Sequence, residues 1–237
     1  MLNLFIMKAI ARLTGFLYLI VAVLGIYGFF YVQGQLFVSG DPAATAVKIT
    51  ARESLFRFSI VIHLVSNILF LSVVLLLYYL LESVHTLIAR LMLWMVAVAI
   101  PLFFITEALQ FTAFFIFKGE LLASFTTNQA QEIAAMLLRV SNVTGELQMF
   151  HWGLWLLPLG WLVYKSNFIP RIFGVLLWIN GIGYMIASLT YILWPASLPL
   201  VTTLVMPTYF AGELPLIFWL LIKGIRTPSV TSTGMRV

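Results

Sequence analysis

RVSNVTGELQMFHWGLWLLPLGWLVYKSNFIPR, residues 139–171, decides what kind of object this chain is. It has the length and apolar content of a membrane-crossing helix, yet it enters polar and leaves basic. Arg139, Asn142, Glu146 and His151 occupy its first half. Trp152, Trp155 and Trp161 occupy its second half, and Lys165 and Arg171 follow. Ionisable groups are expensive in lipid, so they usually turn toward a bundle interior or a wet cavity. The stretch therefore predicts a helix packed among others, with its polar stripe from Arg139 to Glu146 turned inward.

The rest of the chain supplies the partners. Of 237 residues, 62% are hydrophobic and 9% charged, against roughly 25% charged in a soluble domain. Several apolar runs reach the ~20 residues that a bilayer crossing requires. The fold class that follows is all-α: a polytopic membrane helix bundle of about six transmembrane helices plus short surface helices. Residues 1–226 read as one transmembrane domain and 227–237, rich in Ser, Thr, Pro and Gly, as a disordered tail. Cysteine is absent, which removes disulfides, thiolate metal sites and cysteine nucleophiles. The net charge of +5 reads as a topology signal rather than a nucleic-acid footprint. The expected partner is the lipid bilayer; oligomeric state stays open.

Span one is expected at 13–32. The run is longer than a signal-peptide core of about 7–15 residues and no small-residue cleavage site ends it, so it reads as a retained helix. Asp41-Pro42 suggests a capped surface helix, followed by span two at 55–81. A polar link at 82–90 leads to span three at 91–117, kinked at Pro101. A loop at 118–131 is expected to hold a short helix at 121–125, with Asn128 capping the next helix. The remaining spans are expected at 137–164, 171–194 and 200–222, the last broken by Pro207, Gly212 and Pro215.

With six spans, one side carries Lys8, Arg12, Arg90, Lys165, Arg171, Lys223, Arg226 and Arg236, with Glu82 its one acid. The other carries Lys48, Arg52, Arg57, Lys118 and Arg139 among four acids. The first side is expected to be cytoplasmic, with both termini on it and the protein in the plasma membrane.

Three short segments carry a family resemblance. They are Arg12-Leu-Thr-Gly15-Phe-Leu-Tyr18, Asp41-Pro-Ala-Ala-Thr45 leading into Arg52 and Phe56-Arg57, and Ser166-Asn-Phe-Ile-Pro170-Arg171-Ile-Phe-Gly174. The chain resembles, over nearly its whole length, a bacterial membrane-protein family catalogued as domain of unknown function 4386. The resemblance implies a multi-helix membrane protein and no established activity, cofactor or catalytic residue.

Polar side chains mark the candidate site. At ~1.5 Å per residue, His63, Glu107 and Glu146 lie roughly 12–15 Å from one bilayer face, and His151 and Glu213 roughly 20 Å. Asn67 shares the face of His63, Gln110 that of Glu107, and Asn142 lies between Arg139 and Glu146. The expectation is that His63, Asn67, Glu107, Gln110, Arg139, Asn142, Glu146, His151 and Glu213 converge on one outward-facing polar cavity with Glu213 at its floor. That arrangement suits binding or transport of a small amphiphilic or lipid-like ligand. One alternative is a metal-dependent intramembrane enzyme with His and Glu ligands, although no HExxH or Glu-x-x-His spacing is present. Another is haem held by His63 and His151, which lie at different depths. A third is a sensor or partner subunit without catalysis. In the bland reading, the same groups are structural hydrogen-bonding partners and the arginines snorkel.

Overall fold

The computed structural model describes residues 2–38 and 41–226. The tail expected at 227–237 lies outside them. Every regular element among the described residues is helical. α1 spans Leu2–Ile26, widens into a π-helical turn at Tyr27–Val32 and ends in α2, Gln33–Leu36. The surface helix α3, Pro42–Ala51, forms where Asp41-Pro42 predicts it, and the Asp41 carboxylate accepts from the Ala44 amide at 2.9 Å. α4 spans Glu53–Leu81, α5 Thr86–Phe117, α6 Thr127–Lys165, α7 Arg171–Leu193 and α8 Leu198–Ile222.

Some boundaries differ from expectation for local reasons. α5 starts earlier than residue 91 because His85 caps it, its Nδ1 accepting from the Ile88 amide. α6 is capped by Thr126 rather than Asn128. Gln129 stands three residues after Thr126, so the two side chains satisfy each other's free amides in a capping box. The helix expected at 121–125 does not form, and Leu122 takes a positive φ of 61° there.

Five helical segments are long and apolar enough to cross a membrane: Phe5–Ile26, Glu53–Leu81, Thr86–Phe117, Arg171–Leu193 and Pro195–Ile222. α6 is more polar. It is 39 residues long, about 58 Å at helical rise, and lies between α5 and α7, antiparallel to both. A helix held in that slot crosses with its neighbours.

The six long helices form a closed circuit in which each packs on the next, and α8 returns to α1. Contacts down each pair run in opposite directions. Tyr18 and Gly28 of α1 meet Phe70 and His63 of α4. Phe56 and His63 meet Phe114 and Glu107 of α5. Aromatic rings pack inside the circuit. Phe70 lies 4.8 Å from Trp152 and 5.2 Å from Trp155, centroid to centroid, and Trp155 is fully buried. The outside is apolar, with Val61, Ile68, Trp94, Val98, Ile179 and Ile186 exposed. Water would not tolerate so continuous a surface; hydrocarbon does.

The tightest seam joins α6 to α7. Gly160 meets Gly174, Gly153 meets Gly181, and the Glu146 carbonyl accepts from Ser188 Oγ at 2.8 Å. Each step of seven residues down α6 is matched by seven up α7. A strict seven-residue repeat of small residues lets two helices coil left-handedly at close range. A Cβ on Gly174 would lie 2.6 Å from the Gly160 carbonyl oxygen, and one on Gly181 2.7 Å from that of Gly153. Neither oxygen can retreat, since each belongs to helix backbone.

Candidate functional site

Helical spacing sets the first polar group. His63 and Asn67 stand one turn apart on α4, and the Asn67 amide donates to the His63 carbonyl at 2.9 Å. Across the interface, Glu107 of α5 brings Oε1 to 2.9 Å from His63 Nδ1. One proton lies between the two atoms, carried by the imidazole or by the carboxyl. The other ring nitrogen, Nε2, lies against the π-helical turn of α1, where a Cβ on Gly28 would be 2.6 Å away. Only a residue without a side chain leaves room for the imidazole. π-helical turns recur at functional sites, and this one begins where the chain meets the histidine. The side chain of Glu107 is 11% exposed and that of His63 30%. Glu107 Oε2 is buried and has no hydrogen-bonding partner among the described residues.

A second set of bonds ties α5 to α6. Gln148 Nε2 donates to Thr106 Oγ1 at 3.1 Å, and Gln110 Nε2 donates to Ser141 Oγ at 3.0 Å. Ser141 Oγ also donates to the Thr106 carbonyl at 3.4 Å. His151 Nε2 donates to the Met95 carbonyl, which fixes its tautomer because a carbonyl can only accept. Beside His151, between Phe70, Phe103 and Trp155, is a void of about 10 Å³, at the lower limit for one water.

The charges near α3 make a third group. Glu53 pairs with Arg57 at 2.7 Å and Lys118 at 3.3 Å, and Lys118 pairs with Glu120 at 2.9 Å. Arg57 also lies over Phe114, 5.0 Å from its centroid. Glu120 first, then Glu53, holds the Lys118 ammonium above its ordinary pKa of 10.5. Arg52 donates to Gln35.

The nine candidate residues thus divide. His63, Asn67 and Glu107 come together, with Gln110 one turn along α5. His151 is bonded into the α5 side of the core. Arg139 and Asn142 are exposed and Glu146 is half-buried, so the expected inward stripe is corrected. The face of α6 turned to α5 carries Ser141, Gln148 and Trp155, seven residues apart, and Arg139 and Asn142 lie off it. Glu213 is not the floor of a shared cavity. It lies across the bundle, near Tyr18 of α1 and Tyr184 of α7.

Among the described residues, the void beside His151 is too small for a ligand. An open depression of about 400 Å³ lies elsewhere, at the first turns of α6 by Phe125, Glu132 and Met136. Among the described residues no three His, Asp or Glu side chains gather to hold a metal ion. Thr106, Ser141 and Gln148 were not singled out by sequence. The signal available for the last two was their seven-residue spacing in line with Trp155.

Residues 13–224 match the family described as "Domain of unknown function (DUF4386)". An uncharacterized protein of Archaeoglobus fulgidus is 31% identical over 143 residues, covering 58% of this chain and 82% of that protein. No solved structure matches. The chain belongs to the DUF4386 family, and it is a multi-helix membrane protein.

Proposed function

We propose that this member of the DUF4386 family binds a small amphiphilic, lipid-like ligand at the His63–Glu107 pair, as a binding protein or carrier. The observation that carries the reading is the half-satisfied carboxylate. Glu107 Oε1 is bonded to His63, while Oε2 is buried without a partner. Such an acceptor in a membrane core costs stability unless something donates to it. A ligand head group with an O–H or N–H can do so. His63 is the more exposed member of the pair, so the approach is past its ring.

The basic residues support a sidedness for this reading. The α3 end, with Arg52, Arg57 and Lys118, faces outward, and the opposite end with both termini faces the cytoplasm of the cell. Terminal tags tested for protease access in intact cells check this: protected tags support it, and digestion of either tag reverses it.

The ligand test uses protein purified in mild detergent and lipid extracted from it for mass spectrometry. Wild type is expected to carry a lipid-like species enriched over bulk membrane. Glu107→Gln and His63→Ala should lose it, while Gly145→Ala, at a site facing open space, should keep it. Equal recovery from all four proteins sinks the reading.

A further inference from the structure

The end of the bundle opposite α3 leaves its cations without acids. Lys165 closes α6, Arg171 opens α7, Lys223 caps α8 and Arg226 follows it. All four are exposed. They border one place, because the chain beyond α8 folds back onto the α6–α7 turn. Gly224 is buried with a φ of +69°, and a Cβ there would lie 3.4 Å from the Lys8 carbonyl oxygen. That left-handed turn, which glycine adopts without steric cost, buries Ile225 and lets the Arg226 amide donate to the Phe168 carbonyl at 2.9 Å. The Arg226 guanidinium then lies 5.1 Å from the Trp219 ring centre, and Trp219 packs on Phe173 of α7. The α6–α7 turn is itself tied, since Ser166 Oγ accepts from the Ile169 amide at 3.2 Å and donates to the Val163 carbonyl at 2.9 Å. Arg171 donates to Asn167 Oδ1 at 3.5 Å and lies 5.6 Å from the Tyr164 ring centre.

Both arginines are held in place, yet among the described residues no acid pairs with any of the four cations. The α3 end shows the contrast. There Arg57 also lies over an aromatic ring, but Glu53 neutralises it, and Glu53 and Glu120 hold Lys118. A ring attracts a guanidinium without cancelling its charge, and each guanidinium carries five N–H donors. Two guanidiniums flanked by two ammonium groups suit the oxygens of a phosphate, which arginine grips with paired bonds and lysine as a point charge. The surroundings choose between a lipid phosphate and a free one. Ile172 beside Arg171 is 56% exposed and Ile222 beside Lys223 61%, and α7 and α8 are both apolar enough to cross a membrane. The cations therefore stand where membrane-crossing helices end, with Tyr164 and Trp219 as interfacial aromatics at head-group level. A zwitterionic head group brings its own cation and gains less here than one of net negative charge.

We propose that the α6–α7 turn and the end of α8 bind the phosphate of an anionic phospholipid, gripped by Arg171 and Arg226 with Lys165 and Lys223 beside them. Each Lys or Arg near an anionic surface is worth roughly fivefold in affinity, and the attraction weakens as salt rises. The inference is independent of any ligand at Glu107.

The test is native mass spectrometry of the full chain released from nanodiscs of equal phosphatidylglycerol and phosphatidylcholine. Wild type should retain phosphatidylglycerol severalfold over phosphatidylcholine. Arg171→Gln combined with Arg226→Gln should abolish that preference. Arg171→Gln alone should lower it, and carries the test if the double variant does not accumulate. His63→Ala should leave it unchanged, which separates this site from the pair at Glu107. Lys48→Gln combined with Arg139→Gln removes the same charge from exposed positions elsewhere and should also leave it unchanged. Equal retention of the two lipids by folded wild type overturns the proposal. So does an equal loss in the Lys48 and Arg139 double variant, which would reduce the attraction to net charge. Inorganic phosphate should leave the bound lipid in place; displacement by it would assign the cations to the free anion and overturn the lipid reading.

Discussion

The α6–α7 and α4–α5 interfaces solve the same packing problem in opposite ways. α6 and α7 press glycine against backbone at seven-residue intervals, Gly160 on Gly174 and Gly153 on Gly181. α4 and α5 meet through Phe56, Phe111 and Phe114 and through the His63–Glu107 bond. The first contact has no adjustable part, since carbonyl oxygens in a helix cannot rotate away. The second is built of side chains that change rotamer, and one of its carboxylate oxygens is still unpaired. The difference leaves the α6–α7 contact fixed in shape and the α4–α5 contact able to adjust.

The largest effect expected from disturbing this contrast is at the glycine seam. Overpacking a core costs typically about 1–3 kcal/mol and occasionally more. Gly153→Leu should exceed that range, because its Cβ would overlap the Gly181 carbonyl. Gly145→Leu, eight residues earlier on the same helix and facing open space, should stay within roughly 0.5 kcal/mol. Detergent thermal melts compare the two; equal losses would erase the distinction drawn here.

Next comes His63→Ala, which leaves Glu107 buried with neither oxygen paired and should cost about 1–3 kcal/mol. Glu107→Gln should cost less, because its amide oxygen can still accept from Nδ1. A double-mutant cycle on the two residues should show coupling of at least about 0.5 kcal/mol; additivity would mean that the bond contributes nothing.

Gln148→Leu should cost about 1 kcal/mol through the lost bond to Thr106. Its effect should not depend on ionic strength, as both partners are neutral.

The smallest effects are expected at the surface charges near α3. Arg57→Ala should cost about 0.2–1 kcal/mol, shrinking as salt rises. Lys118 gives the pH dependence. Its pKa is raised on folding by Glu120 and Glu53, so its contribution is complete below 10.5 and lost as pH climbs through the folded value. Melting of wild type minus Lys118→Ala should be flat from about pH 6 to pH 9 and fall only in more alkaline buffer.

The level of His63 against Glu107 was legible in the sequence; the azimuth of the other polar groups was not. Counting residues from helix ends put His63 and Glu107 at matching levels, and they are bonded. The same count grouped Glu213 with them, but it faces α1 and α7 rather than α4 and α5. A residue's rotation about its helix depends on where neighbours sit, and no single helix encodes that. Arg139 and Asn142 failed for the same reason. The stripe they make with Glu146 is real, but the faces of α6 that meet other helices are set by Ser141 and Gln148 against α5 and by Gly153 and Gly160 against α7. Local chemistry did better where it was complete. Asp41-Pro42 forms the expected cap, whereas Asn128 lost to Thr126 because Gln129 completes a box only with the earlier residue.

The return of α8 to α1 sets an order of events during synthesis. α1 is made first, and the face bearing Gly15 and Tyr18 is shaped for α8, whose Leu221 backbone lies against Gly15. Every other long helix packs on the next one along the chain, but this face must wait in lipid until α8 has been translated. A ribosome stalled after α7 therefore leaves a five-helix intermediate with one glycine groove open, shaped to fit α8 of any copy of the chain. Closing that groove from within the same chain needs α8 of that chain, and a groove filled by α8 of a second copy would instead make an exchanged dimer.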